Sequence, residues 1–164
     1  MKIIHLIRHA KSGWDNANLS DKERTISIKG ELSCQLMADR IVAAGCNFDQ
    51  VYCSTATRAQ MTIQCLSDTL HSKEIEWISE EALYTFDHYD LLDWCMSFPD
   101  TLDEVVVVGH NPAITEFTNG MSDRYVDNVP TCGYVQLKFP QAAWKELSKA
   151  SAKCTSILTP KQFR

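Results

Sequence analysis

Val105–Val108 is a run of four β-branched residues that leads directly into Gly109-His110-Asn111-Pro112. Such a run offers no polar face to water, so it reads as a strand covered on both sides. Ile3–Ile7 is a second compact apolar run, and it stops abruptly on Arg8 and His9. Strands of this kind need helices above and below them, and the rest of the chain supplies helical patterns between strand-like runs.

Ile28, Leu32, Leu36 and Ile41 recur at helical spacing, with Gly45 as a stop signal. Gln50–Cys53 reads as a short strand, and Ala59, Ile63, Leu66 and Leu70 form one helical stripe after it. Ile75–Ile78 reads as a third strand, and Leu91, Leu92, Cys95 and Phe98 as a short helix before Pro99. Asn111 can cap a helix that begins with Pro112 in its first turn. Val135, Leu137 and Phe139 alternate with Gln136 and Lys138, the pattern of a half-exposed edge strand. The segment from Gln141 onward shows no clear period. The expected fold is a three-layer α/β/α sandwich around a mostly parallel central sheet, with one edge strand free to run antiparallel. A chain of 164 residues suits a single domain over 1–164, since no composition break marks a linker.

Composition narrows the function classes. A net charge of -5 argues against a nucleic-acid surface, though a pocket can still carry a local positive field. No apolar run reaches the ~20 residues of a membrane helix, and the N-terminus has no signal-peptide pattern. The seven cysteines form no C-x-x-C pair and no zinc spacing, so they read as reduced thiols in a cytoplasmic protein, with no metal and no cofactor expected.

In a parallel sheet, ligands collect at the carboxyl ends of the strands. The first strand ends in Arg8-His9, the second leads through Ser54 and Thr55 to Arg58 at a helix start, and the Val105–Val108 strand ends in His110 and Asn111. Taken singly, Arg58 could be a surface arginine and either histidine a packing residue. Their shared topological position makes the stronger case. Two arginines, two histidines and a helix N-terminus describe a pocket for a tetrahedral dianion, because guanidinium forks match phosphate oxygens and helix starts offer free N–H groups. Ser12 and Asn111 are candidate substrate contacts, Asn111 as a cap first. Lys11 is as well explained by solvation, and Trp14 by packing.

Arg8-His9-Ala10, the S-T-A-x-R-A string from Ser54 to Ala59 and Gly109-His110-Asn111-Pro112 together resemble the histidine phosphatase superfamily. The string RHAKSGWD over 8–15 is similar to its small SixA-like phosphohistidine phosphatase branch, and Arg24 with Gly30, and Pro130-Thr131-Cys132-Gly133, extend the likeness. The resemblance covers the chain from Lys2 to about Phe139. It implies a phosphoglycerate mutase-like fold and a metal-independent phosphatase in which His9 is the nucleophile. Arg8, Arg58 and His110 would hold the phosphoryl oxygens.

One part of the family pattern is missing. Ester-cleaving members carry a carboxylic acid after the third strand, and the corresponding place here falls on Tyr84-Thr85. Glu81, Asp87 and Asp90 are the nearest carboxylates able to fill the role. An alkoxide leaving group needs a proton, whereas imidazole, with a conjugate acid near pKa ~6.5, does not. The expected substrate is therefore a phosphohistidine-bearing protein such as a histidine phosphotransfer domain. The alternatives are a small phosphorylated molecule, or a module that binds phosphate without catalysis.

Overall fold

The computed structural model of the chain describes residues 1–164. Six strands form one sheet: β1 (Lys2–Arg8), β2 (Val51–Ser54), β3 (Ile78–Glu80), β4 (Glu104–Gly109), β5 (Tyr134–Phe139) and β6 (Lys153–Leu158). Their order is β3-β2-β4-β1-β5-β6. The pairings β3–β2, β2–β4 and β4–β1 are parallel, and β5 runs antiparallel to both β1 and β6.

Four helices cover the sheet: α1 (Ile28–Ala43), α2 (Thr57–Thr69), α3 (His88–Met96) and α4 (Ala113–Met121). The strands divide their side chains between two cores because successive residues point to opposite faces. Ile7, Val51, Cys53, Val106 and Val108 pack with Cys34, Met37 and Ile41 of α1 and Ala59, Ile63 and Leu66 of α2. Ile4, Leu6, Val105 and Val107 pack with Leu91 and Cys95 of α3 and Ile114, Phe117 and Met121 of α4. The expected three layers are present. No helix is long and apolar enough to cross a membrane.

Three expectations need correction. The spacing of Ile28, Leu32 and Leu36 marks the helix but not its buried face: Ile28 is 78% and Leu32 58% exposed. The inward face is Gly30, Ser33, Cys34, Met37, Ala38 and Ile41, small and medium residues that let α1 approach its neighbours closely. The third strand lies at Ile78–Glu80 rather than Ile75–Ile78. The Ile75 N–H donates to Ser67 Oγ of α2 (2.8 Å), so its backbone closes a loop instead of joining the sheet. Finally, β5 is an interior strand, because the segment without a clear period contributes β6 outside it. Gln136, polar in an otherwise apolar setting, is buried with its amide donating to the Ala44 carbonyl (3.2 Å) and to Tyr134 Oη (3.1 Å).

Gly30 fixes how α1 meets the loop after β1. A Cβ at this position would lie 2.4 Å from the Lys11 carbonyl oxygen and 3.2 Å from Ile26 Cβ. Alanine would gain about 1 kcal/mol of helix propensity, but overpacking against backbone costs about 1–3 kcal/mol and displaces the loop that carries His9. Gly30→Ala is therefore expected to lower the thermal unfolding midpoint by several degrees, measured by scanning calorimetry.

Candidate active site

The register of β1 on β4 sets Arg8 beside Gly109, and the His9 N–H donates to the Gly109 carbonyl (3.0 Å). The next residue on each strand is a histidine, and the two ring centroids are 5.3 Å apart. The segment before β5 closes the other side. Cys132 N–H donates to the carbonyls of both Arg8 and His9 (3.0 Å each), and Arg8 N–H donates to Gly133 O (3.0 Å). From α2, Thr62 Oγ1 accepts from Ala10 N–H (2.8 Å) and donates to the Arg58 carbonyl (2.7 Å). The strand end that bears His9 is thus held from three directions.

His9 is 8% exposed, and its Nδ1–H donates to the Ala10 carbonyl (2.7 Å). That bond leaves the lone pair on Nε2 and orients the ring through the Ala10 carbonyl. Burial, reinforced by the charges of Arg58, Arg8 and Arg24, lowers the His9 pKa to about 4 against the opposing pull of the Ala10 bond. The ring is neutral at physiological pH, with Nε2 unprotonated.

Arg58, in the first turn of α2 and 3% exposed, aims at the same space. Its Nε lies 3.3 Å from His9 Nε2 and its Nη2 lies 3.4 Å from His110 Nδ1. Ser54 Oγ accepts from Ala56 N–H (3.2 Å) and lies 2.7 Å from His110 Nε2. Because Arg58 Nη2 can only donate, His110 Nδ1 is the accepting nitrogen and the ring proton lies on Nε2, toward Ser54 Oγ. Burial first, and then the nearby His9 and Arg58, lower the His110 pKa to about 3. Arg8 Nη1 donates to the Val129 carbonyl (2.9 Å), and its Nε is a buried nitrogen with no hydrogen-bond partner in the chain.

The structure brings His9, Arg8, Arg58 and His110 together, but it employs the two other expected contacts differently. Pro112, not Asn111, is the N-cap of α4; Asn111 Oδ1 accepts from Thr115 N–H (3.1 Å) and Oγ1–H (2.9 Å) in the first turn, while its amide donates to Asn128 Oδ1 (3.0 Å) and Val129 O (2.9 Å). Asn111 therefore steadies the carbonyl that holds Arg8. Ser12 Oγ accepts from Arg24 Nη2. Trp14 does not pack inward as expected: it is 74% exposed, with the Arg24 guanidinium stacked on its ring.

The carboxylate that reaches the site is Asp21, a residue the sequence reading passed over. It stands in a short 3-10 turn, Asp21–Glu23, within the loop between β1 and α1. Arg58 donates from Nη1 to the Asp21 carbonyl (2.6 Å) and from Nη2 to Oδ2 (3.1 Å). Tyr84 Oη–H donates to the same Oδ2 (2.6 Å), and Arg24 Nη1 to Oδ1 (3.3 Å). Burial alone would raise the Asp21 pKa, but the bonds from Tyr84, Arg58 and Arg24 outweigh it and hold the group below the usual carboxylate range. Tyr84 and Phe86 also stand edge-on to the His110 ring, both 5.5 Å away between centroids. The only sequence trace of this arrangement is the i,i+3 pairing of Asp21 with Arg24, since the Arg58 contact spans 37 residues.

The three carboxylates considered from the sequence are engaged elsewhere. Asp87 Oδ1 accepts from Tyr89 N–H (2.8 Å) and caps α3. Asp90 accepts from Thr85 Oγ1 (2.8 Å). Glu81 accepts from Lys22 Nζ (2.7 Å) and from Thr55 Oγ1 (2.5 Å) at the outer rim. No group of three or more His, Cys, Asp or Glu side chains is placed to hold a metal ion.

Chemically, the arrangement pairs a neutral, oriented imidazole nitrogen with two guanidinium groups and a second imidazole at one edge of the sheet. Such a centre can accept a phosphoryl group and stabilise its oxygens. Comparison with known proteins agrees with this description. The chain is 33% identical over 92 residues to a 2,3-bisphosphoglycerate-dependent phosphoglycerate mutase of Brucella anthropi, a match covering 55% of this chain and 45% of the mutase. It therefore spans less than half the length of the curated relatives it matches. The fold superimposes on the protein histidine phosphatase SixA complexed with tungstate at a TM-score of 0.79, with 16% identity and 99% of each chain covered. It also superimposes on a phosphoserine phosphatase of Entamoeba histolytica in complex with 3-phosphoglyceric acid at 0.67, with 16% identity over 97% of this chain and 98% of the other. A profile of the histidine phosphatase superfamily (branch 1) matches residues 4–95, more than half of the sequence and all of the segment that carries His9 and Arg58, and the chain belongs to that superfamily.

Proposed function

We propose that this protein is a phosphohistidine phosphatase that works without a metal ion and uses His9 as its nucleophile. His9 Nε2 attacks the phosphorus of a phosphorylated imidazole whose distal nitrogen has taken a proton from solvent, the substrate's P–N bond breaks to release neutral imidazole, and a P–Nε2 bond to His9 forms. Water then attacks the phosphoryl group on His9 and releases inorganic phosphate. Arg58 and Arg8 present N–H donors to the phosphoryl oxygens, each hydrogen bond to the anion contributing about 1.5–3 kcal/mol, and the His110 ring stands beside that of His9 to close the site. A phosphoryl oxygen would also give the unpartnered Arg8 Nε an acceptor. The tungstate in SixA, itself a tetrahedral oxyanion, supports a pocket of this shape in the fold.

The observation that carries the substrate class is the state of Asp21. The one carboxylate on the site's arginines is held ionised by Arg58, Tyr84 and Arg24, so it has no proton to give an alkoxide leaving group. A phosphorylated imidazole takes the proton it needs on its own distal nitrogen, from solvent, and leaves as neutral imidazole, so it asks no acid of the protein. The test is a substrate panel on the purified protein. Hydrolysis of a phosphorylated histidine phosphotransfer domain is expected in the presence of chelator, with a ~10⁴-fold or larger loss in His9→Ala. Higher turnover on alkyl phosphates than on phosphohistidine would favour the second reading, a small-molecule phosphomonoesterase. The mutase among the sequence relatives keeps that reading in view. Rapid acid-free quenching should trap phosphate on His9, and its absence under turnover would point to a module that binds without catalysis.

Two further measurements bear on the chemistry. With His9 buried and its pKa near 4, its ring proton resonance in an NMR titration is expected to stay flat from pH 8 to about 5 and to move only near pH 4. A midpoint near 6.5 would mean that the nucleophile is hydrated and half protonated in the physiological range. Asp21→Asn removes a negative charge from beside Arg58 but keeps the bond from Arg58 to the residue-21 carbonyl. Inorganic phosphate is then expected to inhibit severalfold more strongly. Unchanged or weaker inhibition would show that the carboxylate orients Arg58 and does not set the pocket's field.

A further inference from the structure

We infer that the outer face of α1, together with Lys11 beside the active site, is the docking surface for the phosphohistidine-bearing protein, and that this partner lays an apolar helix with acidic flanks along it. The inference rests on the function proposed above and adds the surface and the kind of element that it receives.

Ile28, Leu32 and Leu36 follow one another at four-residue intervals on the side of α1 turned away from its core. Ile28 is 78% and Leu32 58% exposed, and Leu36 is half-buried. Single exposed aliphatics are ordinary, but a row of three on one helix face marks a contact surface. The row is about 12 Å long, eight residues at ~1.5 Å rise each, which matches two turns of a second helix. Beside it lies a hollow of about 590 Å³ lined by Lys11, Lys29, Leu32, Ser33, Leu36, Thr131 and Arg164. This hollow is continuous with the catalytic loop: Lys11 is two residues past His9, and Thr131 precedes the Cys132 amide that bonds the Arg8 and His9 carbonyls.

Charge sets the chemistry of the occupant. The hollow carries three cationic side chains and no acidic one, in a chain of net charge -5. The opposite flank of α1 faces a different hollow, about 750 Å³, with Glu31 and Asp68 in its wall. The cations on the active-site flank therefore complement an acidic partner rather than following the overall charge. His9 is recessed, so a phosphoryl group must arrive on a side chain that reaches down from an element resting on the rim. A helix lying on Ile28, Leu32 and Leu36 would bring such a side chain to the mouth of the pocket, the helix-in-groove mode of recognition.

The test compares Leu32→Glu and Lys29→Glu with the unmodified chain on two substrates, a phosphorylated histidine phosphotransfer domain and free phosphoimidazole. Lys29 is fully on the surface, so its variant keeps the test open if Leu32→Glu unfolds, which circular dichroism would reveal. Both variants are expected to raise KM for the protein substrate roughly tenfold and to leave kcat/KM on phosphoimidazole within about twofold. Equal loss on both substrates, or no loss on the protein, overturns the docking surface while leaving the proposed reaction intact. Failure of the unmodified chain to hydrolyse either substrate overturns the proposed reaction itself and the docking surface that rests on it. If light scattering shows a dimer that Leu32→Glu splits with protein turnover unchanged, the face is a contact between copies of this chain and the inference fails.

Discussion

The parallel pairing of β1 with β4, in a register that sets Arg8 beside Gly109, is the constraint on which the rest of the site depends. A parallel pair brings both strands to an end at the same edge of the sheet, and here each continues into a histidine. Shifting one strand by a residue would exchange the faces of every side chain beyond it, sending Ile4 and Leu6 into the wrong core. The apolar pattern therefore fixes the register, and the register places the two imidazoles within 5.3 Å. Core packing and catalytic geometry are set by the same hydrogen-bonded ladder.

Putting two histidines among arginines in a buried pocket has a consequence for their charge. Burial disfavours the imidazolium in both rings, and the guanidinium groups add to the effect, so both stay neutral far below the ordinary histidine range. In the reaction proposed above, a neutral His9 among fixed cations would suit attack on a dianion, since the positive field is permanent and its lone pair is free of a proton at neutral pH. Repulsion between the guanidiniums is eased by Asp21, whose carboxylate bonds both Arg58 and Arg24. Arg8 has no carboxylate partner and leans on the Val129 carbonyl instead. Its lowered pKa, caused by burial and then by the charge of Arg58, reflects that lack.

Much of this was legible in the sequence, and the reasons differ by element. Ile3–Ile7 and Val105–Val108 announce themselves because strands buried on both faces have no polar period to confuse the reading. Arg8, His9, Arg58 and His110 are legible because they follow strands or open helices at the one edge where α/β sheets gather ligands. The buried face of α1 was legible only at Met37 and Ile41, since its other inward residues, Gly30, Ser33, Cys34 and Ala38, carry little hydrophobic signal, while Ile28 and Leu32 face out. β6 was hidden because Lys153–Leu158 is an outer strand with an irregular pairing between Gln136 and Leu137. Asp21 was hidden for a different reason: it acts from a loop without hydrophobic period, and its partners Arg58 and Tyr84 lie 37 and 63 residues away in sequence.

Asp21 also alters the argument from the absent acid. A carboxylate is present after all, delivered from the loop before α1 to Tyr84 and Arg58. What decides the chemistry is its protonation state rather than its presence. To act as a proton donor it would have to shed the bonds from Arg58, Arg24 and Tyr84, each of which favours the ionised form. Those same bonds fasten the loop over Arg58, so a protonated Asp21 would come with a loosened phosphate site. The two requirements of ester cleavage, a firm grip on the phosphoryl group and a ready proton for the leaving oxygen, thus oppose each other in this pocket. A substrate whose leaving group is itself an imidazole escapes that conflict.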